Sequence, residues 1–329
     1  MVKVAIISFE HLHAWGYSAA LEESSLTDFC AFFEDNPETF ARIKEKHPGS
    51  KAYQSYEKLL EESGCEAVIV TSANVRHKEH VIAAAKAGKH VLCEKPIATT
   101  MEDAREMIEE CRKAGVKLGT AFPVRYSPAV KRARDLIQSK KLGKLLAANT
   151  TNHGSMPGGW FAKKELSGGG AVMDHTVHVT DLLRYMLNQE ITKVYATSGN
   201  NLHSMEVEDC GLLMLELSGG AFVTLDSSWS RPSCYPLWGD VKLDFKGTEG
   251  NLSVNCFPWL LNLYQNSTNK HTTHPGGDNI DFELVEDFAR SIIEDREPLV
   301  TGEDGLRALE VTLAAFRSIE EKRPVSLPL

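Results

Sequence analysis

The sequence predicts an α/β protein, with an N-terminal doubly wound parallel sheet and a C-terminal α+β domain carrying an open, largely antiparallel sheet. Three observations lead there. Short apolar runs alternate with helical segments over the first 120 residues, and beyond them the texture changes to consecutive strands and short turns. The 329 residues also exceed what one core comfortably organises. The expected division is therefore 1–120 and 121–329, with the C-terminal helix able to pack back on the first part.

Val2 to Ile7 is an apolar run, followed by a turn and a helical stretch from about Ala14 to Glu23. Asp28–Phe33 leads into a helix over Pro37–Lys46, and Ala67–Thr71 into one over Lys78–Ala87, closed by Gly88. His90–Cys93 precedes a helix over Met101–Ala114, closed by Gly115, and Val116–Thr120 is the fifth strand. Short apolar strands separated by helices require crossover connections, hence a parallel sheet covered on both faces. Ligands of such sheets lie beyond the carboxyl ends of the strands. The turns after the first four strands are where function is sought.

In the second part a helix spans about Ser127–Ser139, and a longer one runs from Gly168-Gly169-Gly170 to near Asn188. Strands are expected at Leu145–Asn152, Thr192–Ser198, Gly211–Leu217, Ala221–Trp229, Val241–Phe245 and Leu260–Tyr264. Turns such as Ser218-Gly219-Gly220 and Gly247-Thr248-Glu249-Gly250 favour antiparallel or mixed pairing. Helices over Ile280–Glu294 and Gly302–Lys322 close the chain.

Composition excludes several classes. Apolar residues at 42% and charged residues at 25% are ordinary for a globular protein. A formal charge of −9, with no dense Lys/Arg stripe, argues against a nucleic-acid surface. No apolar run reaches the roughly 18 residues that span a bilayer, and Met1-Val2-Lys3 leads straight into a strand without a signal peptide. The seven cysteines (Cys30, Cys65, Cys93, Cys111, Cys210, Cys234, Cys256) are scattered and odd in number, as expected of reduced thiols in a cytoplasm. The sequon Asn266-Ser267-Thr268 then carries no weight.

Four places carry candidate chemistry. Glu94-Lys95-Pro96 follows the fourth strand, and proline restricts Lys95 to extended conformations at the sheet edge, where its cation suits polarising an oxygen. A surface lysine in an ordinary turn is the alternative. From Gly168 onward, a helix sets Asp174, His178 and Asp181 on one face, with Leu182, Leu183, Met186 and Leu187 turned to the core. A carboxylate beside an imidazole suits acid–base work. Asp174, His175 and His178 would also serve as metal ligands, or the acid simply complements the helix dipole.

The third place is the turn Ser8-Phe9-Glu10-His11-Leu12-His13. A dinucleotide fold wants Gly-x-Gly-x-x-Gly here so that backbone amides approach a diphosphate, and none of these glycines is present. Glu10 would set a carboxylate near phosphate unless it turns away, while His11 and His13 offer donors; His-x-His as a metal pair is the minor reading, and no metal is expected. The fourth is Glu34 at the end of the second strand, placed to accept hydrogen bonds from an adenosine ribose and to repel a 2′-phosphate, with Asp35 adjacent.

In their order, these segments resemble the Gfo/Idh/MocA family of oxidoreductases. Thr71-Ser72-Ala73-Asn74-Val75-Arg76-His77 resembles the family's Thr-Pro-Asn-x-x-His loop, with Ser72 in place of proline. Ala87 through Pro96 matches its most characteristic block, Arg125-Tyr126-Ser127-Pro128 its domain-crossing segment, and Gly168 through His178 its Gly-Gly-Gly-x-x-x-Asp-x-x-x-His motif. Gly302 through Glu310 is also typical of the family's carboxyl end.

The resemblance implies a Rossmann domain over 1–120 that binds NAD, and a substrate-binding, oligomerising domain over 121–329. It implies that Lys95, Asp174 and His178 are catalytic. The cofactor side would be Ser8, Phe9, Glu10, His11, Leu12, His13, Glu34, Thr71, Asn74, His77, Glu94 and Lys95. The implied activity is NAD(H)-dependent transfer of hydride to or from a hydroxyl carbon of a sugar or polyol, in a homodimer or homotetramer. Arg125, His153, Trp160 and His175 are substrate-side candidates, and Trp229, Arg231 and Tyr235 are suited by side-chain type to stacking or hydrogen bonding. The rival readings are a non-catalytic dinucleotide or sugar sensor of the same fold and a metal-dependent hydrolase or isomerase.

Overall fold

The structure, a computed structural model, describes residues 1–235, 239–257, 260–265, 269–275 and 279–329. The sequon at 266–268 lies outside the described residues. The first elements are β1 (Val2–Ile7), α1 (His13–Glu23), β2 (Thr27–Phe33), α2 (Pro37–Lys46), β3 (Lys51–Tyr53), α3 (Tyr56–Glu62) and β4 (Ala67–Val70). Next come α4 (His77–Lys86), β5 (His90–Cys93), α5 (Met101–Ala114), β6 (Leu118–Thr120), α6 (Pro128–Gln138), β7 (Leu145–Gly154), α7 (Lys164–Ser167) and α8 (Ala171–Leu187). The strands β8 (Ile191–Gly199), β9 (Cys210–Leu217), β10 (Phe222–Ser228), β11 (Gly239–Gly247), β12 (Asn251–Asn255), β13 (Leu260–Gln265) and β14 (Lys270–Pro275) follow. The helices α9 (Ile280–Ile293) and α10 (Gly302–Glu321), then β15 (Val325–Ser326), end the chain.

Contacts group the chain into two compact units. Met1–Pro123, Lys163–Gly168 and Asp281–Leu309 form one, and Val124–Ala162, Gly169–Ile280 and Glu310–Leu329 form the other. Among the described residues no helix is long and apolar enough to cross a membrane.

The first unit is built on a six-stranded sheet of order β3-β2-β1-β4-β5-β6 in which every pairing is parallel. Its central strands are buried along nearly their whole length, β4 entirely, which is why they read as unbroken apolar runs. Strand order reverses between β1 and β4, so the turns that follow those two strands flank the crevice where such sheets bind ligands. Helix starts are chemically marked: Asn36 accepts from the Thr39 amide ahead of Pro37, and Thr100 accepts from the Asp103 amide. Gly115 ends α5 at φ +69°, a left-handed conformation that glycine adopts without penalty. Where five strands were expected there are six. The extra strand, β3, is only Lys-Ala-Tyr at the sheet edge, too short and too polar to register as an apolar run.

The second unit carries a seven-stranded sheet of order β12-β11-β7-β10-β9-β8-β15. All its pairings are antiparallel except β7 with β10, which run parallel from Ala147↔Phe222 to His153↔Ser228. The strand at Leu260 is not part of this sheet; it pairs with β14 in a separate hairpin. Strand β9 alternates strictly, with Leu213, Leu215 and Leu217 buried against α8 and its core and Leu212 and Met214 exposed. Helix α8 is buried on every side except at Arg184 and Tyr185, so its polar residues lie within the fold rather than on a solvated face.

Burial also sets an acid limit on the first unit. His80 on α4 is buried beneath Tyr56 and Phe33, with Nδ1 2.9 Å from Ser72 Oγ. Desolvation pushes its pKa down to about 4, opposed by Glu79 and Glu57 and assisted by Arg76 and the neighbouring His77 imidazole. A depressed histidine leaves the unfolded chain to bind the proton first, so this contribution is complete above about pH 6.5 and is lost as pH falls towards 4. At roughly 1.4 kcal/mol per pH unit its ceiling is about 3 kcal/mol. Urea midpoints measured from pH 7 to 4.5 should fall less steeply for His80→Asn than for the parent; identical slopes would show that His80 does not set the limit.

Candidate active site

The turn after β1 is shaped by hydrogen bonds that substitute for glycine. Ser8 takes φ +72°, a left-handed conformation uncommon outside glycine, and Thr71 Oγ1 donates to its carbonyl at 2.6 Å. The following amides are committed internally. Phe9 N donates to Glu34 Oε2 at 2.7 Å, Glu10 N to Ser8 Oγ at 3.1 Å, His11 N to the Thr71 carbonyl at 2.9 Å, and His13 N to His11 Nδ1 at 3.1 Å. Leu12 precedes α1 and is half exposed. Glu34 is buried and also accepts from Asn36 N at 2.8 Å; desolvation raises its pKa against those two amides, which favour the anion. Glu10 turns away from the turn, accepting from Ala73 N at 2.9 Å with Arg76 at 3.6 Å.

The loops after β4 and β5 close the same edge. Asn74 Nδ2 donates to the Ser167 carbonyl at 2.8 Å. His77, with no exposed surface, holds Nε2 3.0 Å from the Ser72 carbonyl and Nδ1 3.0 Å from that of Pro96, so its imidazole ties the two loops together. Glu94 is fully buried; Oε2 accepts from Tyr17 Oη at 2.8 Å and lies 3.2 Å from His13 Nδ1, while Oε1 accepts from the Lys95 amide at 3.0 Å. Burial alone would raise its pKa, yet His11, His13 and Lys95 overcome this and hold the carboxyl well below the usual range. Burial likewise works against a charged His13, and Glu94, aided by Asp281, wins and raises its pKa. Lys95 is buried at the start of a cis Lys95–Pro96 bond.

In the second unit, the glycines at the start of α8 answer to close packing. A Cβ on Gly170 would collide with the Glu208 carbonyl, and one on Gly169 would come within 2.6 Å of the Phe316 ring. Glu208 Oε1 in turn accepts from Gly170 N at 2.8 Å and Val172 N at 3.1 Å, meeting amides that a helix start leaves open. Asp174 Oδ2 accepts from Trp229 Nε1 at 3.0 Å and lies 3.3 Å from His175 Nε2, whose Nδ1 is 2.9 Å from the Asn152 carbonyl. His178 follows one turn later, 9% exposed. Asp181 lies a further turn along the helix, its carboxylate clamped by Arg125, Nε at 2.7 Å and Nη2 at 2.5 Å.

Other sequence candidates are accounted for as follows. Trp229 does not present a stacking face; it is completely buried with Phe161, Ala171 and Val207. Trp160 stacks on Phe161 at 3.9 Å, His153 Nε2 lies 3.0 Å from Asp226, and Arg231 pairs with Asp240 while covering Tyr235 at 4.0 Å. The sequence reading missed Tyr17, Asp281 and Glu208. Tyr17 had a local signal, since it falls one helical turn beyond His13, whereas Asp281 and Glu208 act across separations that no periodicity reports. Among the described residues, His11, His13 and Glu94 are the one set of three whose donor atoms lie mutually within 4.8 Å; Asp174, His175 and His178 do not converge in this way. The first unit thus offers a shaped carboxyl edge with an acid–imidazole pair and a lysine, and the second a buried carboxylate and imidazole on one helix.

Two family models match the chain. Residues 3–122 match the family described as an oxidoreductase family with an NAD-binding Rossmann fold, and residues 130–253 match the GFO/IDH/MocA C-terminal domain. A 1,5-anhydro-D-fructose reductase of Ensifer adhaerens is 31% identical over 276 residues, 82% of this chain and 81% of the relative. A myo-inositol 2-dehydrogenase of Thermotoga maritima is 31% identical over 296 residues, 87% and 86% of the two chains. The crystal structure of a probable dehydrogenase from Thermotoga maritima superposes with a TM-score of 0.85 at 26% identity, covering 99% of this chain and 98% of the other.

Proposed function

The chain belongs to the Gfo/Idh/MocA family of NAD-binding oxidoreductases, and from that premise we propose that it oxidises or reduces a hydroxyl carbon of a sugar or polyol, with NAD as the preferred cofactor. The observation that carries the reading is the pair of buried proton-handling groups on α8, Asp174 fixed by the Trp229 indole and His178 one turn later. A nicotinamide supplies the hydride acceptor or donor when bound. His178 takes the hydroxyl proton on a ring nitrogen during oxidation and returns it during reduction, a contribution of roughly 10²–10⁴ in rate. The Lys95 ammonium steadies the oxygen as its charge develops, and Asp174 fixes the polar surroundings of the pair.

On the cofactor side we assign Ser8 through His13, Glu34, Thr71, Asn74, His77 and Glu94, some by contact and some by holding the loops. The residues fit a dinucleotide well at Glu34, a buried acid at the end of β2. They fit less well at the turn after β1, where the amides of Phe9, Glu10, His11 and His13 already have partners. Screening sugars and polyols by nicotinamide absorbance identifies the substrate. Lys95→Met and His178→Ala should keep the fold and cofactor binding while turnover falls at least about a hundredfold. Activity within about threefold of the parent in both variants would remove them from the mechanism.

Cofactor choice follows from charge. A 2′-phosphate about 4 Å from Glu34 meets a cost of roughly 1 kcal/mol in water and about 4 at an effective dielectric of 20, or about tenfold to nearly a thousandfold in affinity. The nearby cation Arg76 lies 3.4 Å from Asp35 and 3.6 Å from Glu10, so its charge is already shared. Dissociation constants should favour NAD over NADP by at least about tenfold, with the gap narrowed in Glu34→Ala. Equal affinities in the parent would place Glu34 away from the ribose.

The outer face of the second sheet suggests self-association. Leu146, Tyr195, Leu212, Met214 and Phe222 are each between 44% and 55% exposed there, on four strands. Patches of this kind on soluble proteins mark interfaces. A homodimer or homotetramer, measured by light scattering well above the 36.4 kDa chain mass, is the expected state, and Met214→Glu with Phe222→Lys should lower it. A parent that stays monomeric at micromolar concentration contradicts this.

A further inference from the structure

The turn after β1 poses a problem of charge. In a dinucleotide fold this turn usually neutralises a diphosphate with open amides, and here those of Phe9, Glu10, His11 and His13 are committed to internal partners. What the turn presents instead is imidazole. The rings of His11 and His13 lie 4.4 Å apart, and the Glu94 carboxylate reaches them from the end of β5. One donor atom from each of the three residues falls within 4.8 Å of the others, and all three residues belong to the first unit.

We propose that His11, His13 and Glu94 form a binding site for one first-row divalent cation, Zn²⁺, Co²⁺ or Ni²⁺, whose remaining coordination positions take diphosphate oxygens of the dinucleotide. The diphosphate part rests on the cofactor reading above; the cation part does not. Two imidazoles and one carboxylate are the donor set of open zinc and related sites, and they disfavour Mg²⁺ and Ca²⁺, which want oxygen alone. At metal–ligand distances of about 2.0–2.2 Å, donors on a tetrahedron stand roughly 3.5 Å apart, so donors that already lie mutually within 4.8 Å need only a small side-chain adjustment.

The surroundings are suited to it. Tyr17 Oη donates to Glu94 Oε2 at 2.8 Å and orients the carboxylate, the role that outer partners play in metal sites. His11 and Glu94 are buried, while the His13 side chain is 31% exposed, which leaves an open side. Lys95 opposes a dication, but the carboxylates of Glu94 and Asp281 both act on His13 with the opposite sign. The minor sequence reading of His-x-His thus gains a third ligand from 81 residues further along the chain.

The test uses the full chain stripped with a chelator and titrated with Co²⁺, followed by visible absorption and calorimetry. One equivalent should bind, with a d–d spectrum, and His13→Gln and His11→Gln should each weaken it at least tenfold, with circular dichroism confirming that both variants fold. No binding at millimolar Co²⁺, or the same binding in parent and variants, overturns the site. A second arm measures NAD affinity with and without Zn²⁺ by calorimetry, where at least a tenfold gain is expected. Cation binding with no gain overturns the diphosphate role, whereas NAD that fails to bind under either condition overturns the cofactor reading and leaves the Co²⁺ result standing.

Discussion

Glu94 is a carboxylate with no exposed surface at the end of β5, and a charge in that position has to be met by partners or discharged. It is met from several directions: Tyr17 and His13 on α1, His11 on the turn before it, and the amide and ammonium of Lys95. Each of these contacts fixes a different segment of the sheet's carboxyl edge. The β1 turn is docked by its histidines, α1 by its tyrosine, and Lys95 by its own amide. Removing the carboxylate would leave several donors and two imidazoles facing one another without a counter-charge, so the arrangement of this edge depends on that single anion.

The second unit solves a related problem on α8. A helix buried on nearly every side ordinarily carries apolar residues, yet this one carries Asp174, His175, His178 and Asp181. Three of them have these specific partners: Trp229 donates to Asp174, the Asn152 carbonyl lies 2.9 Å from His175 Nδ1, and Arg125 grips Asp181 with two bonds. Partners of this kind are strong in a low-dielectric interior. The two acids meet different partners: Asp181 faces a guanidinium, whereas Asp174 accepts from a neutral indole and lies beside the His175 imidazole.

The sequence was legible where a local rule decides structure. Strands β1, β4 and β5 follow from short, mostly apolar runs, α2 starts at its proline, and α5 stops at Gly115. β3, β12, β14 and β15 were missed because a strand of Lys-Ala-Tyr, Asn-Leu-Ser-Val-Asn, Lys-His-Thr-Thr-His-Pro or Val-Ser pairs on account of its neighbours rather than its composition. The candidate site divides in the same way. Lys95, Asp174 and His178 sit in motifs whose spacing is visible, but the committed amides of the β1 turn, the cap that Glu208 gives α8 and the burial of Trp229 are products of tertiary packing. Trp229 illustrates the limit well, since a large aromatic is equally good as a ligand platform or as core.

The network at residues 8–13 also bears on disorder. A glycine-rich turn is mobile before its ligand arrives, and ordering it costs roughly 1–2 kcal/mol of backbone entropy per residue fixed. Here Ser8, Phe9, Glu10, His11 and His13 are already pinned by Thr71, Glu34 and one another. Little freedom remains for a ligand to remove. A turn of this kind gives up part of the enthalpy that open amides provide and recovers part of the loss by being pre-organised, so its binding should carry a smaller entropic penalty than a glycine turn of the same length.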